Sequence, residues 1–146
     1  MASAVTTDME ALGHRPSMTD IWMSTARMLA SRSRCERASV GCVVTSGDLR
    51  RVLGNGYNGR TPGHNSCPGT DPCCLHAEVD ARIASGSLEK DKVMFVTLLP
   101  CEKCSMMIVN SGFSSVIYGD DHEKTAGADI LRSAGVLLTR YTPPPK

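Results

Sequence analysis

His76-Ala77-Glu78 and, further along, Pro100-Cys101-Glu102-Lys103-Cys104 carry the residue types of a catalytic metal centre. A catalytic zinc takes three protein ligands and keeps a fourth position for water. The imidazole of His76 and the thiolates of Cys101 and Cys104 supply three. Zinc bound in this way lowers the pKa of its water and makes a hydroxide-like nucleophile near neutral pH. Glu78 follows the histidine by two residues, so on a helix it cannot share the ligating direction of His76. It suits a place beside the water, as the general acid/base that carries a proton to a leaving group. The competing reading is an ordinary C-x-x-C zinc clip with an unrelated H-x-E upstream. Such a closed site wants a fourth ligand and has no use for the Glu.

A chain of 146 residues has the size of one domain and buries a core without staples. Sixteen Lys and Arg against fifteen Asp and Glu leave a formal charge of +1. That balance argues against a dedicated nucleic-acid binder, which carries a basic face, and still allows one small anion to bind. Seven cysteines would suggest a disulfide framework in a secreted mini-protein. The polar, mixed Met1–Ser17 segment has no signal-peptide pattern, and no run reaches the length of a membrane span. The expectation is a reduced, cytoplasmic protein, away from membranes, whose cysteines bind metal.

The elements that must position this chemistry follow from patterning. Residues 1–17 read as a loose arm, 18–141 as the folded domain and 142–146 as a Pro-rich tail that cannot extend a strand. Thr19-Asp20 can cap a helix carrying Ile21, Trp22, Thr25, Met28 and Leu29 at helical spacing. Val40–Val44 and Arg51–Gly54 read as strands joined by a Ser46-Gly47-Asp48 turn. A Gly-, Pro- and Cys-rich loop is expected from Asn55 to Cys74, then a helix over Leu75–Ser85 stopped by Gly86. Strands over Val93–Leu98, Ser115–Tyr118 and Val136–Thr139 alternate with helices over Cys101–Asn110 and Ala126–Ser133. Two antiparallel strands followed by alternating helix and strand predict an α/β sandwich on a mixed five-stranded sheet.

The H-x-E…P-C-x-x-C pattern is that of zinc-dependent nucleobase deaminases, and from about Trp22 to Leu138 the chain resembles the deoxycytidylate (dCMP) deaminase family. Further residues carry the resemblance: Ser33-Arg34-Cys35-Glu36-Arg37 leading into Val40-Gly41, and Gly56-Tyr57-Asn58-Gly59 followed by Pro62-Gly63. Val96-Thr97 before Pro100, Met107-Ile108 with Ser111-Gly112, and Val116-Ile117-Tyr118 complete it. The zinc motif marks the superfamily; the G-Y-N-G loop points to the dCMP branch. The resemblance implies the cytidine deaminase-like three-layer α/β/α sandwich, with the helix starts at His76 and Cys101–Cys104 facing each other and their dipoles favouring thiolate and hydroxide. It also implies a homo-oligomer (dimer, tetramer or hexamer) and control by dCTP or dTTP, with Mg2+ accompanying the effector.

Asn58, Ala77 and Tyr118 are the nucleotide contacts the resemblance implies. For Asn58 a second reading stands beside it, a left-handed turn residue in Tyr-Asn-Gly. The chain departs from the family at Asp80, where Asn is usual, at His122, where a second aromatic is common, and at Cys42, where Ala is common. Asp80 and His122 bear on how base or sugar is held and so on whether the base is plain or 5-substituted. Cys42 reads as a small buried hydrophobe.

Cys35, Cys67, Cys73 and Cys74, with His64 nearby, are left over. Family members with a second, structural zinc place ligands at matching positions, and such a clip would pin a loop with little apolar content. Free thiols are the other reading. Arg34 and Arg37, within a run including Arg32 and Arg27, are candidates to hold a 5′-phosphate; a solvated basic face is the alternative.

The function these residues imply is hydrolytic, zinc-dependent deamination of a cytosine deoxynucleotide: dCMP, or a 5-substituted dCMP, to the uracil product and ammonia. Such an enzyme is a hydrolase acting on a cyclic amidine. Two other readings compete. A deaminase working on a base in tRNA or single-stranded DNA would need an aromatic or basic grip, and Phe, Tyr and Trp number 2, 3 and 1. A non-enzymatic zinc module would leave Glu78 without purpose.

Overall fold

The computed structural model describes residues 15–59, 74–86 and 89–145. Among the described residues, four helices and five strands follow one another as α1 (Met18–Ala30), β1 (Gly41–Thr45), β2 (Val52–Tyr57), α2 (Ala77–Ser85), β3 (Lys92–Leu98), α3 (Glu102–Asn110), β4 (Phe113–Asp120), α4 (Ala126–Ser133) and β5 (Leu137–Arg140). The sheet order is β2-β1-β3-β4-β5. β1 runs antiparallel to β2 and β3, while β3, β4 and β5 are mutually parallel. The mixed five-stranded sheet expected from the sequence is therefore present.

Strand periodicity splits the core in two. Cys42 and Val44 of β1, with Met94 and Val96 of β3, face Ala77 and Ala81 of α2, Ile108 of α3, and Ala128 and Leu131 of α4. Val43, Val93 and Phe95 point to the opposite face and pack on Met23 and Ala26 of α1. One helix thus covers one face and three cover the other, the α/β/α layering. Central strands covered on both sides read as continuous apolar runs, as Val93–Val96 does.

Several boundaries differ from the sequence reading. Ser17, not Thr19-Asp20, caps α1: its hydroxyl accepts from the Asp20 N–H at 3.0 Å, and the Asp20 carboxylate accepts from the Ser17 N–H at 2.9 Å. The arm expected over residues 1–17 therefore ends in a capping box, and its first fourteen residues lie outside the described part. Second, β2 continues through Gly54-Asn55-Gly56-Tyr57, where a loop was expected from Asn55. These glycines serve close approach rather than a turn. A Cβ on Gly54 would lie 2.5 Å from the Ala81 carbonyl oxygen and 2.6 Å from the Ser85 nitrogen, both backbone atoms of α2. α2 itself begins at Ala77, two residues later than expected, because His76 is its N-cap.

Along the C-terminal stretch, Tyr141 closes the α1 face. Its N–H donates to the Tyr118 carbonyl at 2.7 Å and its hydroxyl to Asp20 at 2.8 Å, with the Arg27 guanidinium 5.3 Å from the ring centroid. Among the described residues, no helix is long and apolar enough to cross a membrane.

The contact of α2 with β2 yields a stability prediction. Gly54→Ala drives a methyl into α2 backbone that cannot swing aside, so it should cost about 1–3 kcal/mol. Urea melts of the two proteins measure it, and coincident melts would show that α2 does not sit this close.

Candidate active site

β3 decides where the two sequence motifs meet. α2 runs nine residues away from His76, and β3 brings the chain back along it to Cys101. His76 is the N-cap of α2 and Cys101 the N-cap of α3; neither caps its own helix with a side-chain hydrogen bond. Both side chains are thereby left to turn toward one another. The Nδ1 atom of His76 lies 3.3 Å from the Cys104 sulfur and 3.5 Å from the Cys101 sulfur. The three ligand atoms all lie within 4.8 Å of one another. A zinc tetrahedron with ordinary Zn–N and Zn–S bonds has N···S edges of about 3.5 Å, so the group fits this metal, with Nδ1 as the histidine donor.

Electrostatics point the same way. The Cys101 thiol is lowered to about 3, chiefly by the hydrogen bond it receives from Cys104, against burial and with help from His76. Cys104 is pushed far up, first because it is the donor in that bond and then by burial. In this corner the protein alone stabilises one thiolate at the expense of the other. A dication between them is what allows both to ionise. Glu78, in the first turn of α2, is 5 % exposed, and burial raises its carboxyl above the usual range.

These groups open into a cavity of about 480 Å³, a size suited to a small ligand. Its floor is made by His76, Ala77 and Glu78 with Cys101 and Cys104. On the β1 side the wall is Cys35, Arg37, Ala38, Val40 and Asn58, and on the β4 side it is His122, Lys124, Ala126 and Gly127. Arg37, Lys103 and Lys124 are exposed cations along the lining, against Glu102.

Other residues singled out in the sequence fall unevenly. Asn58 reaches the wall, but its side chain ties the wall together: Oδ1 accepts from the Val40 N–H at 2.8 Å and Nδ2 donates to the Ala38 carbonyl at 2.7 Å. It is not a left-handed turn residue, since the described non-glycine residues at positive φ are Leu49 and Asp91. Tyr118 packs in the core beneath α2–α4 and does not line the cavity. Asp80 also lies off it; Oδ2 accepts from the Tyr57 N–H at 3.3 Å, which fastens α2 to the end of β2. Arg34 is outside the lining, while Arg37, three residues on, is within it. Cys42 is fully buried, and burial raises its thiol first of all.

For the spare cysteines, the Cys35 and Cys74 sulfurs lie 3.6 Å apart on the cavity wall. Cys35 is a free thiol, whereas Cys74 is disulfide-bonded. Neither expectation, zinc thiolates or free thiols, describes Cys74 in that state. His64, Cys67 and Cys73 lie outside the described residues. Sequence reasoning passed over Lys103 and Lys124. Lys103 stands inside the C-x-x-C spacing itself, where a helix N-terminus turns it toward the cavity, but one lysine in a helix carries no signal of its own.

Comparison with known proteins agrees with this geometry. Residues 16–120 match the family described as the cytidine and deoxycytidylate deaminase zinc-binding region. The deoxycytidylate deaminase of Schizosaccharomyces pombe is 32% identical over 149 residues, covering 89% of this chain and 46% of that protein. This chain thus spans under half the length of that relative. Human deoxycytidylate deaminase is 30% identical, over 85% of this chain and 79% of its own. The crystal structure of the cyanophage S-TIM5 dCMP deaminase in complex with dCMP and dUMP superposes with a TM-score of 0.78 at 31% identity, covering 88% of this chain and 99% of that one. With the fold, the facing helix starts and the matched residues in agreement, the chain belongs to the cytidine and deoxycytidylate deaminase family.

Proposed function

We propose that this protein converts a cytosine deoxynucleotide, dCMP, to dUMP and ammonia by hydrolysis. The observation that carries the reading is the buried carboxyl of Glu78 set beside the His76, Cys101 and Cys104 cluster at the floor of a nucleotide-sized cavity. Bound there, zinc would supply the acidity that makes water a nucleophile near neutral pH.

His76, Cys101 and Cys104 would hold the metal. Glu78 takes a proton from the attacking water and returns it to the amine that leaves C4 of the cytosine. Water and dCMP in, dUMP and ammonia out, the proton count closes with Glu78 back in its starting state. Burial of Glu78 keeps bulk water from competing for that proton. Arg37, Lys103 and Lys124 provide an electropositive rim for the 5′-phosphate, and Asn58 keeps the segment bearing Ala38 and Val40 in place against the ligand. Asp80, fixed on the Tyr57 N–H away from the cavity, holds structure rather than reading the C5 position of the base.

We also infer a second, structural zinc at Cys35 and Cys74 when the latter is reduced. The 3.6 Å between their sulfurs is near the edge of about 3.8 Å between two thiolates on one zinc.

Glu78→Ala should keep zinc and fold yet lose about 10²–10⁴-fold in kcat. Near-normal turnover of the purified variant would remove Glu78 from the chemistry. In a panel of dCMP, 5-methyl-dCMP, deoxycytidine and a cytosine-containing oligonucleotide, dCMP should exceed deoxycytidine by roughly tenfold or more in kcat/KM, since each charge-assisted bond to phosphate is worth about 1.5–3 kcal/mol. Equal rates on nucleoside and nucleotide, or activity on the oligonucleotide alone, would defeat the mononucleotide reading and leave deamination standing. For the second site, metal analysis of protein purified under reducing conditions should find about two zinc ions per chain, dropping by about one in Cys35→Ser with a lower melting temperature. A single zinc in the reduced wild type would refute it.

A further inference from the structure

The cavity wall on the β4 side contains an imidazole whose two nitrogens have separate duties. His122 lies two residues beyond β4, half-buried, and lines the cavity with Lys124. The backbone N–H of Lys124 donates to His122 Nδ1 at 3.0 Å. A nitrogen that accepts a hydrogen bond from a backbone amide carries no proton of its own, so the ring proton is on Nε2. The same bond fixes the ring and folds the 122–124 segment, leaving Nε2–H as a rigid donor that does not depend on a positive charge.

We propose that His122 Nε2–H, with the Lys124 ammonium beside it, binds the 5′-phosphate of the substrate nucleotide. The inference rests on the nucleotide reading of this site and assigns one of its contacts. Two donors carried two residues apart on one segment, with no carboxylate of that wall among the cavity-lining groups, match an acceptor that is anionic and has several oxygens. The metal cluster and Glu78 occupy the floor between this wall and the one held by Asn58. The base must reach that floor for its C4 to be attacked, so the phosphate is left to the more exposed groups. Arg37 reaches the cavity from the opposite wall, across which the phosphate would be held by donors of different segments. A neutral imidazole donor adds direction where the three rim cations add mainly charge, and it fixes the distance from phosphate to reacting carbon.

Two near-isosteric variants separate the nitrogens. In His122→Asn the amide oxygen stands where Nδ1 stood and still accepts the Lys124 N–H, but no donor reaches the phosphate. In His122→Gln the amide nitrogen stands where Nε2 stood, and the loop bond is the one lost. His122→Asn is expected to raise KM for dCMP about tenfold or more while kcat changes little, and to shrink the preference for dCMP over deoxycytidine by the same factor. His122→Gln is expected to retain most of that preference. Inhibition by dUMP should weaken in His122→Asn in parallel with the rise in KM, which provides a readout even if turnover of deoxycytidine is too slow to follow. Zinc content and melting temperature, measured on both variants, establish that each is folded. A KM for dCMP unchanged in His122→Asn would overturn the inference, as would equal losses on dCMP and deoxycytidine, or a loss in His122→Gln as large as in His122→Asn. If wild type shows no preference for dCMP, the nucleotide reading itself fails; if wild type prefers dCMP and His122→Asn does so undiminished, only the assignment of His122 fails.

Discussion

Where the first turns of α2 and α3 meet, two sulfurs, an imidazole nitrogen and a carboxyl share a partly buried corner of the cavity. Every negative charge placed there makes the next more costly. The two thiols are displaced in opposite directions, Cys101 down and Cys104 up, chiefly because Cys104 keeps its proton as the donor in the hydrogen bond to Cys101. Two helix N-termini contribute about half a positive charge each, which favours one thiolate but falls short of stabilising both beside Glu78. A dication resolves the conflict, and the donor set is one that zinc accepts. Metal binding in this corner is therefore linked to the protonation of the cysteines, and removal of the metal returns a proton to one of them.

That requirement explains the packing around it. His76 and Cys101 come together only if α2 lies flat on the sheet and β3 returns the chain along it. The glycines of β2 make the first condition possible, because a side chain at Gly54 or Gly56 would hold α2 away from the sheet. The buried run of β3 meets the second, pairing with β1 on one side and β4 on the other. The parallel β3–α3–β4 crossover then sets the site at the carboxyl ends of the strands, the usual place for ligands in sheets of this kind. Asp80 reinforces the arrangement from within α2 by taking the Tyr57 N–H.

Much of this was legible in the sequence because the decisive signals are local. His76, Glu78, Cys101 and Cys104 announce themselves by type and spacing, and each strand by its run of apolar residues. What could not be read depends on pairs of distant residues. Gly54 and Gly56 look like loop glycines until α2 is laid over them. Ser17 wins the cap of α1 because its hydroxyl is matched by Asp20 three residues later, a reciprocal pair that a reading of Thr19-Asp20 overlooked. Arg34 and Arg37 are equivalent in a list of basic residues, yet only the second lines the cavity. Lys124 becomes meaningful only after β4 has delivered it to the wall opposite.

The two walls of the cavity are irregular backbone, and each is held by a polar side chain that also faces the ligand space. This makes their phenotypes unequal as evidence. Asn58 has both ends of its amide engaged, Oδ1 by Val40 and Nδ2 by Ala38. Removing it strands a buried N–H and loosens the wall, a cost of about 1–3 kcal/mol for the unsatisfied group alone. Lost activity at Asn58 would follow whether or not the amide touches a nucleotide, so it cannot by itself assign a substrate contact. The second N–H of Nδ2 and the second lone pair of Oδ1 are the capacity these two bonds leave over. His122 differs because its structural bond uses Nδ1 alone, so the donor proposed for the phosphate sits on the other ring nitrogen. A residue of that kind lets the architecture of the wall be held constant while the recognition is removed, because Asn keeps an acceptor at the Nδ1 position and Gln keeps a donor at the Nε2 position, so each role of the ring can be retained without the other.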